Sequence, residues 1–286
     1  MKIIQLAHQT YSQMLGYILV TPDGSLCCID GGMTLDAEHL LQMLKTLGGE
    51  KPRVKYWFLT LAHLDHCDAF LALYPRKGID FELDHLVYAF PSCEDADRYE
   101  PEYSETVHLF EALQPKEHIL PNAGDIFDLG GGAVMEVLQT WTFGETFSFL
   151  CNAGTVYRLR GEGKTAIFLG DLGVTGGRRL LNRYGYGLKC DIVQMAHHGQ
   201  SGVERAVYEA MQPDICLWST PDWLWSNTPD PLHPGCGPWA TPETFRWMQE
   251  IGAQWHLIAK DGTWEMDITA GQVHFARLDR HTGEMA

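Results

Sequence analysis

Short apolar runs recur along the chain, bounded by Gly, Pro, Asp and Asn. Ile3–Leu6, Tyr17–Val20 and Leu26–Ile29 predict three strands. Thr21-Pro22-Asp23-Gly24 suits a turn between the second and third, with Pro presetting φ and Gly taking the positive-φ position. Asp30-Gly31-Gly32 closes the third. The period then changes: Leu40, Leu41, Leu44 and Leu47 share one helical face, and Thr34 is the expected N-cap. Val54–Leu59 predicts a buried strand, with a helical stretch to Leu73 after it. Leu83–Phe90 predicts a strand and Ser104–Leu113 an amphipathic helix.

The second half repeats this style. Val134–Leu138, Thr155–Leu159, Thr165–Leu169, Ile192–Met195 and Ile215–Trp218 predict strands. Val203–Met211 and Thr241–Ile251 predict helices, the latter with Thr241 as cap and Pro242 in the first turn. Trp255–Ala259 and Thr263–Ile268 flank Lys260-Asp261-Gly262, which reads as a hairpin. Strands come early and late in both halves, with helices between. That order predicts two packed sheets covered by helices, not a simple parallel βαβ series. No linker divides the chain, so residues 1–286 are expected to form one domain. The Pro/Trp-rich stretch from Thr220 to Pro242 is the one long irregular segment.

Composition narrows the function. Hydrophobic residues make up 45% of the 286 positions, enough for a sizeable core, which excludes general disorder. Thirty-seven acidic residues against 21 basic ones leave a formal charge of −16, and no long basic cluster exists. A standing nucleic-acid partner is therefore not expected. The eight cysteines form no CxxC pair and the N-terminus lacks a signal-peptide pattern. A reduced, cytoplasmic protein is expected. No apolar run reaches the roughly 18 residues of a membrane span.

Candidate chemistry gathers at strand ends. His63-Leu64-Asp65-His66 follows the buried strand at Val54–Leu59. Gly170-Asp171 ends the strand at Thr165–Leu169, and His197-His198-Gly199 follows Ile192–Met195. Imidazole and carboxylate together suit zinc, iron or manganese. Each motif alone is a common polar turn; three strand ends presenting Asp and His are hard to read as three independent turns.

Taken in order, these motifs resemble the metallo-β-lactamase superfamily of metal-dependent hydrolases, over about Ile3 to Ile268. Asp30-Gly31-Gly32 matches its early DGG turn. Asn152-Ala153-Gly154-Thr155, Phe168 to Asp171 and His197-His198-Gly199 are most similar to the branch of competence (DNA-uptake) proteins and phosphorylcholine esterases. The resemblance implies an α/β fold, an αββα sandwich of two mixed β-sheets, with a metal site between their loop ends. Two departures stand out. The pattern T-H-x-H-x-D-H reads Thr60-Leu61-Ala62-His63-Leu64-Asp65-His66, with Leu61 at the first histidine, and Leu138 to Gly144 lacks the histidine usual there.

Of two family metal positions, one thus keeps only His63 and the bridging Asp171. The other keeps Asp65, His66, Asp171 and one of His197 and His198. One divalent metal is expected, at this second position: zinc, with manganese or iron as alternatives. His198 is favoured as ligand and His197 as a substrate-facing or supporting residue, although the sequence does not separate them. A metal-bound water is expected to attack an ester, lactone, amide or small phosphoester in a small-molecule substrate. Asp65 or Asp171 would orient the water or accept its proton, and His197 or His63 would protonate the leaving group. A second hypothesis is a non-catalytic binding or sensor protein on a decayed hydrolase fold. A third is a phosphodiesterase or nuclease-like enzyme that recovers a second metal through Asp68 or His233.

Other residues have plainer readings. Cys67 reads as a buried thiol rather than a ligand, and Asp68 as a helix N-terminal acid. Trp218, Trp223, Trp225 and Trp239 either line a pocket or pack the long loop. His8, His39, His85, His108, His118, His256, His274 and His281 have no ligand spacing. The oligomeric state is not legible.

Overall fold

The computed structural model describes residues 1–142 and 146–278. Phe143 and Gly144, in the loop where the resemblance expects a histidine, and His281 lie outside the described residues. The strands are β1 (Lys2–Gln5), β2 (Gly16–Val20), β3 (Leu26–Asp30), β4 (Arg53–Phe58), β5 (Glu82–Val87), β6 (His118–Ile119), β7 (Ile126–Gly130) and β8 (Ala133–Gln139). They continue with β9 (Val156–Gly161), β10 (Lys164–Phe168), β11 (Ile192–Gln194), β12 (Ile215–Trp218), β13 (Trp255–Ile258), β14 (Trp264–Thr269) and β15 (Gln272–Arg277). The helices are α1 (Ala37–Gly48), α2 (Leu64–Leu73), α3 (Cys93–Tyr99), α4 (Glu105–Leu113), α5 (Phe149–Asn152), α6 (Val174–Tyr184), α7 (Arg205–Met211), α8 (Asp222–Trp225) and α9 (Thr241–Ile251).

Why the strands read as unbroken apolar runs is clear from where alternate residues go. In β2, Tyr17 and Leu19 enter a core between two sheets, while Ile18 faces the helices outside. In β12, Ile215 and Leu217 face inward, and Cys216 and Trp218 outward. A strand buried on both faces has no polar alternation to show. The first sheet has the order β15-β14-β1-β2-β3-β4-β5-β6 and the second β13-β12-β11-β10-β9-β8-β7. Both are mixed. β3, β4 and β5 run parallel, as do β10, β11, β12 and β13. Leu40 and Leu44 of α1, Phe70 of α2 and Phe110 of α4 cover the first sheet. Leu180 of α6, Tyr208 of α7 and Met248 of α9 cover the second. This is the αββα sandwich expected, in the α/β class.

Three local expectations are corrected. The hairpin expected across Lys260-Asp261-Gly262 does not form. β13 pairs parallel with β12 in the second sheet, whereas β14 pairs antiparallel with β1 and β15 in the first. The turn signal is real, since Gly262 has φ 128°, but the chain crosses between sheets there. The hairpin lies one step later, between β14 and β15, with positive φ at Ala270 and Gly271. Thr34 is not the cap of α1. It opens a short 3₁₀ turn, and the Asp36 carboxylate accepts from Met33 N at 2.9 Å and Gln9 N at 2.7 Å. Thr241 is the first residue of α9, with Ala240 at the cap position.

Helix α6 gave no sequence signal, because Gly176-Gly177 reads as a breaker. The glycines instead admit close packing. A Cβ at Gly177 would meet Val203 Cγ1 at 2.8 Å and Val203 Cβ at 2.9 Å. Alanine there gains about 1 kcal/mol of helix propensity. Overpacking against a stiff, buried valine costs about 1–3 kcal/mol and outweighs that gain. Gly177→Ala is therefore expected to lower the urea midpoint without changing the slope of the transition. A raised midpoint would contradict the packing account.

Candidate metal centre

The C-terminal ends of parallel strands from both sheets meet along one seam. β3 ends in Asp30 and β4 leads through Thr60 to His66. β10 leads to Asp171, β11 to His198 and β12 to Ser219. One ligand-type atom from each of Asp65, His66, Asp171 and His198 lies within 4.8 Å of the others, and all four residues are buried. Residues 65 and 66 come from the first sheet and 171 and 198 from the second, so the cluster exists only because the sheets pack.

Each side chain is held from behind. His66 Nδ1–H donates to Asp30 Oδ2 at 2.9 Å, which turns Nε2 toward Asp171 Oδ1 at 3.2 Å. Asp30 is fixed in turn by Thr60, whose N–H donates to Oδ1 at 2.7 Å and whose hydroxyl donates to Oδ2 at 2.6 Å. His198 Nδ1–H donates to the Ser219 carbonyl at 2.8 Å, aiming Nε2 at Asp65 Oδ2, 2.9 Å away, and Asp171 Oδ2, 3.5 Å away. Asp65 stands in the first turn of α2, where the helix dipole favours a carboxylate. Gln13 Nε2 donates to its Oδ2 at 3.0 Å. Gln194 holds the turn before Asp171, accepting from Leu169 N at 2.8 Å and Gly170 N at 2.7 Å.

His197 and His198 both adopt left-handed backbone, with φ of 52° and 56°. Such consecutive non-glycine residues are strained and persist only where the surroundings over-determine them. Gly199 supplies the reason. Its φ is 82°, and a Cβ there would meet the Trp218 indole at 2.4 Å, so the loop is clamped against the ring. The two histidines consequently part. His198 is fully buried in the cluster. The His197 side chain is 26% exposed, with Nε2 3.8 Å from Asp171 Oδ2 and Nδ1–H donating to Ser201 O at 3.3 Å.

The electrostatics favour positive charge. Burial opposes ionisation of Asp65, but His66 and His198 outweigh it and hold the carboxyl at about 2. Asp171, also buried, is held well below the usual carboxylate range by His198, His66 and His197. Burial likewise disfavours charge on the imidazoles, yet Asp171 and its neighbours raise His66 well above its ordinary value and His198 to about 10. Burial raises Asp30, with His66 and Thr60 pulling the other way. A divalent cation answers the same field as these imidazolium charges. The geometry agrees. The Nε2 atoms of His63, His66 and His198 and Asp171 Oδ1 are buried without a hydrogen-bond partner. The imidazole nitrogens stand close to carboxylate oxygens without hydrogen-bonding geometry, the arrangement of lone pairs converging on a shared cation. Two nitrogens and two carboxylates are a fitting donor set for zinc, manganese or iron.

The remaining expected residues are elsewhere. His63 forms a second grouping with Asp171 and Cys151, again within 4.8 Å. Its ring leans on Tyr103 at 5.2 Å between centroids. Leu61 is buried. Cys67 points away, its thiol donating to Leu61 O at 3.1 Å. Asp68 is bonded to Thr34 at 3.4 Å, and neither it nor His233 joins a ligand grouping among the described residues. His233 is exposed on the long loop and tied to Asp230. The tryptophans divide. Trp218 packs on Trp225 and Phe245 outside the second sheet, whereas Trp223 packs on Trp239 and donates to Tyr11 O at 2.8 Å. Sequence reasoning missed Cys151 and the role of Asp30, which it read only as a turn. A further grouping, Cys93, His108 and Glu111, is superficial, with His108 bound to Asp97.

Neither family models nor curated protein sequences give a match to the chain. Solved structures do. The metallo-β-lactamase fold protein YhfI from Bacillus subtilis superposes with a TM-score of 0.56, covering 92% of this chain and 99% of that one at 13% identity. This chain has the metallo-β-lactamase fold. The CmlA β-hydroxylase, in a variant form, superposes with a TM-score of 0.53 at 12% identity, covering 97% of this chain and 54% of that one. Identities this low transfer architecture and no residue roles. A hydroxylase on this architecture also shows that function has to be argued from the site. The eight cysteines are free thiols, and no helix among the described residues is long and apolar enough to cross a membrane.

Asp30→Asn tests how the cluster is held. An amide cannot accept from Thr60 N, Thr60 Oγ1 and His66 Nδ1 together, because one oxygen becomes a donor. Affinity for Mn(II) by titration calorimetry is expected to fall about 10–100-fold. Unchanged affinity would show that Asp30 does not orient His66.

Proposed function

We propose that the protein is a metal-dependent hydrolase acting on an ester, lactone, amide or small phosphoester. Asp65, His66, Asp171 and His198 would hold the divalent cation, zinc or alternatively manganese or iron. The observation that carries this reading is the convergence of four buried ligand atoms from two sheets, three of them without a hydrogen-bond partner. The likeness of Asn152-Ala153-Gly154-Thr155 and His197-His198-Gly199 to the competence-protein and phosphorylcholine-esterase branch supports the same reading. When bound, the cation supplies Lewis acidity and lowers the pKa of a water in its coordination sphere.

The chain's own residues supply the rest. Asp171 stands between the cluster and His197, at 3.5 Å from His198 Nε2 and 3.8 Å from His197 Nε2. Because His197 Nδ1–H is engaged with Ser201 O, Nε2 is the ring nitrogen that faces the site. It would take a proton from the attacking water and return it to the leaving group. Asp65, held by Gln13, would orient that water. His197 is the partly exposed member of the group, so it is the side chain that would meet a small-molecule substrate.

Asp65→Ala is expected to abolish tight Mn(II) binding, which in the native chain should amount to one ion. His197→Ala should keep the ion yet lower kcat about 10²–10⁴-fold, with a smaller change in KM. Both are measured by calorimetry and by hydrolysis of a panel of chromogenic esters, a lactone, an anilide and a phosphoester. If the metal-loaded chain turns over none of these, the non-catalytic binding reading replaces this one.

A further inference from the structure

We propose that Cys151, His63 and Asp171 form a second, thiolate-containing metal site, with Asp171 shared between it and the cluster of Asp65, His66 and His198. The inference rests on the metal reading of that cluster and extends it to a position where both expected histidines are missing.

Three observations carry it. First, one ligand atom from each of His63, Cys151 and Asp171 lies within 4.8 Å of the others. Second, His63 Nε2 is buried and lacks a hydrogen-bond partner, which is costly unless a cation takes its lone pair, and His63 joins no other grouping among the described residues; Asp171 is the member shared with the first cluster. Third, the thiol is placed by dedicated structure. Thr155 N donates to Thr60 O at 2.6 Å, laying the segment after Cys151 beside the strand end that carries His63. The Asn152 side chain accepts from Gly176 N at 2.8 Å and donates to Phe147 O at 2.9 Å, pinning α5 between its neighbours. Cys151 is only 5% exposed as a result. Cys67 is a useful contrast: equally buried and close in sequence to His63, it spends its proton on Leu61 O and joins no grouping.

The donor set defines the ligand class. One thiolate, one imidazole and one carboxylate make a softer site than the neighbouring cluster, and three protein ligands leave coordination positions open. Thiolate selects zinc, cobalt or cadmium over manganese or magnesium. Binding releases the Cys151 thiol proton to solvent. The two positions should therefore sort metals by softness: manganese fills the cluster alone, and a thiophilic ion fills both.

The full chain, freed of metal by chelation, is titrated separately with Mn(II) and Co(II). The expected result is one Mn(II) but two Co(II) per chain, with a thiolate-to-cobalt charge-transfer band in the near ultraviolet. Cys151→Ser should lose the band and one Co(II) equivalent while keeping Mn(II) binding, which also reports that the variant is folded. Cys67→Ser should keep the band. Cobalt bound to the native chain without a charge-transfer band overturns the thiolate site and leaves the cluster standing. A band that persists in Cys151→Ser overturns it equally. No binding of either metal overturns both this inference and the hydrolase reading.

Discussion

Asp65 and Asp171 are buried beside one another at the seam of two sheets, and much of the structure follows from keeping them there. Ionised carboxylates out of water are expensive unless paired and hydrogen-bonded. Here each faces an imidazole, and each imidazole is anchored through its other nitrogen, His66 by Asp30 and His198 by Ser219 O. Side chains with those anchors cannot relax by rotating away. The negative field is therefore fixed in place, which is what a cation site needs in advance of its ion.

Such fixity requires rigid backbone on both sides. The first sheet contributes Asp30, Thr60, Asp65 and His66; the second contributes Asp171, Gln194, His198 and Ser219. Between them lies a layer of fully buried apolar side chains, including Tyr17, Phe58, Tyr157 and Phe168. Even these serve the seam. Tyr17 bonds Ser219 Oγ at 2.8 Å, and Tyr157 donates to Leu59 O at 3.0 Å, tying each sheet to the other's loop end. The strained backbone at His197 and His198 is tolerable only against this background.

The parts legible in the sequence were those in which local pattern and chemistry coincide. Strands ending in His63 to His66, Gly170-Asp171 and His197-His198 announced both an element and its ligand-type side chains, and the structure does bring their buried members together. The parting of His197 from His198 depends on Trp218 beneath Gly199, a contact that no spacing encodes. Cys151 was hidden because a thiol in a short apolar stretch looks like any core cysteine. Asp30 was visible as a turn, but its bond to His66 spans 36 positions. Helix α6 was masked by glycines whose purpose is close packing. Lys260-Asp261-Gly262 shows where the chain bends and not which sheet receives it next.

The placement of β14 has a consequence for biosynthesis. β1 lies between β2 and β14, so one of its edges has no neighbour until residues 264 to 269 have been made. Throughout elongation that edge presents open backbone donors and acceptors, a template for pairing with other chains. Gln5, on the same strand, must also wait for its acceptor at Trp218 O. The first sheet thus stays incomplete long after β1 has been made, and the open edge of β1 is exposed to mispairing until β14 arrives.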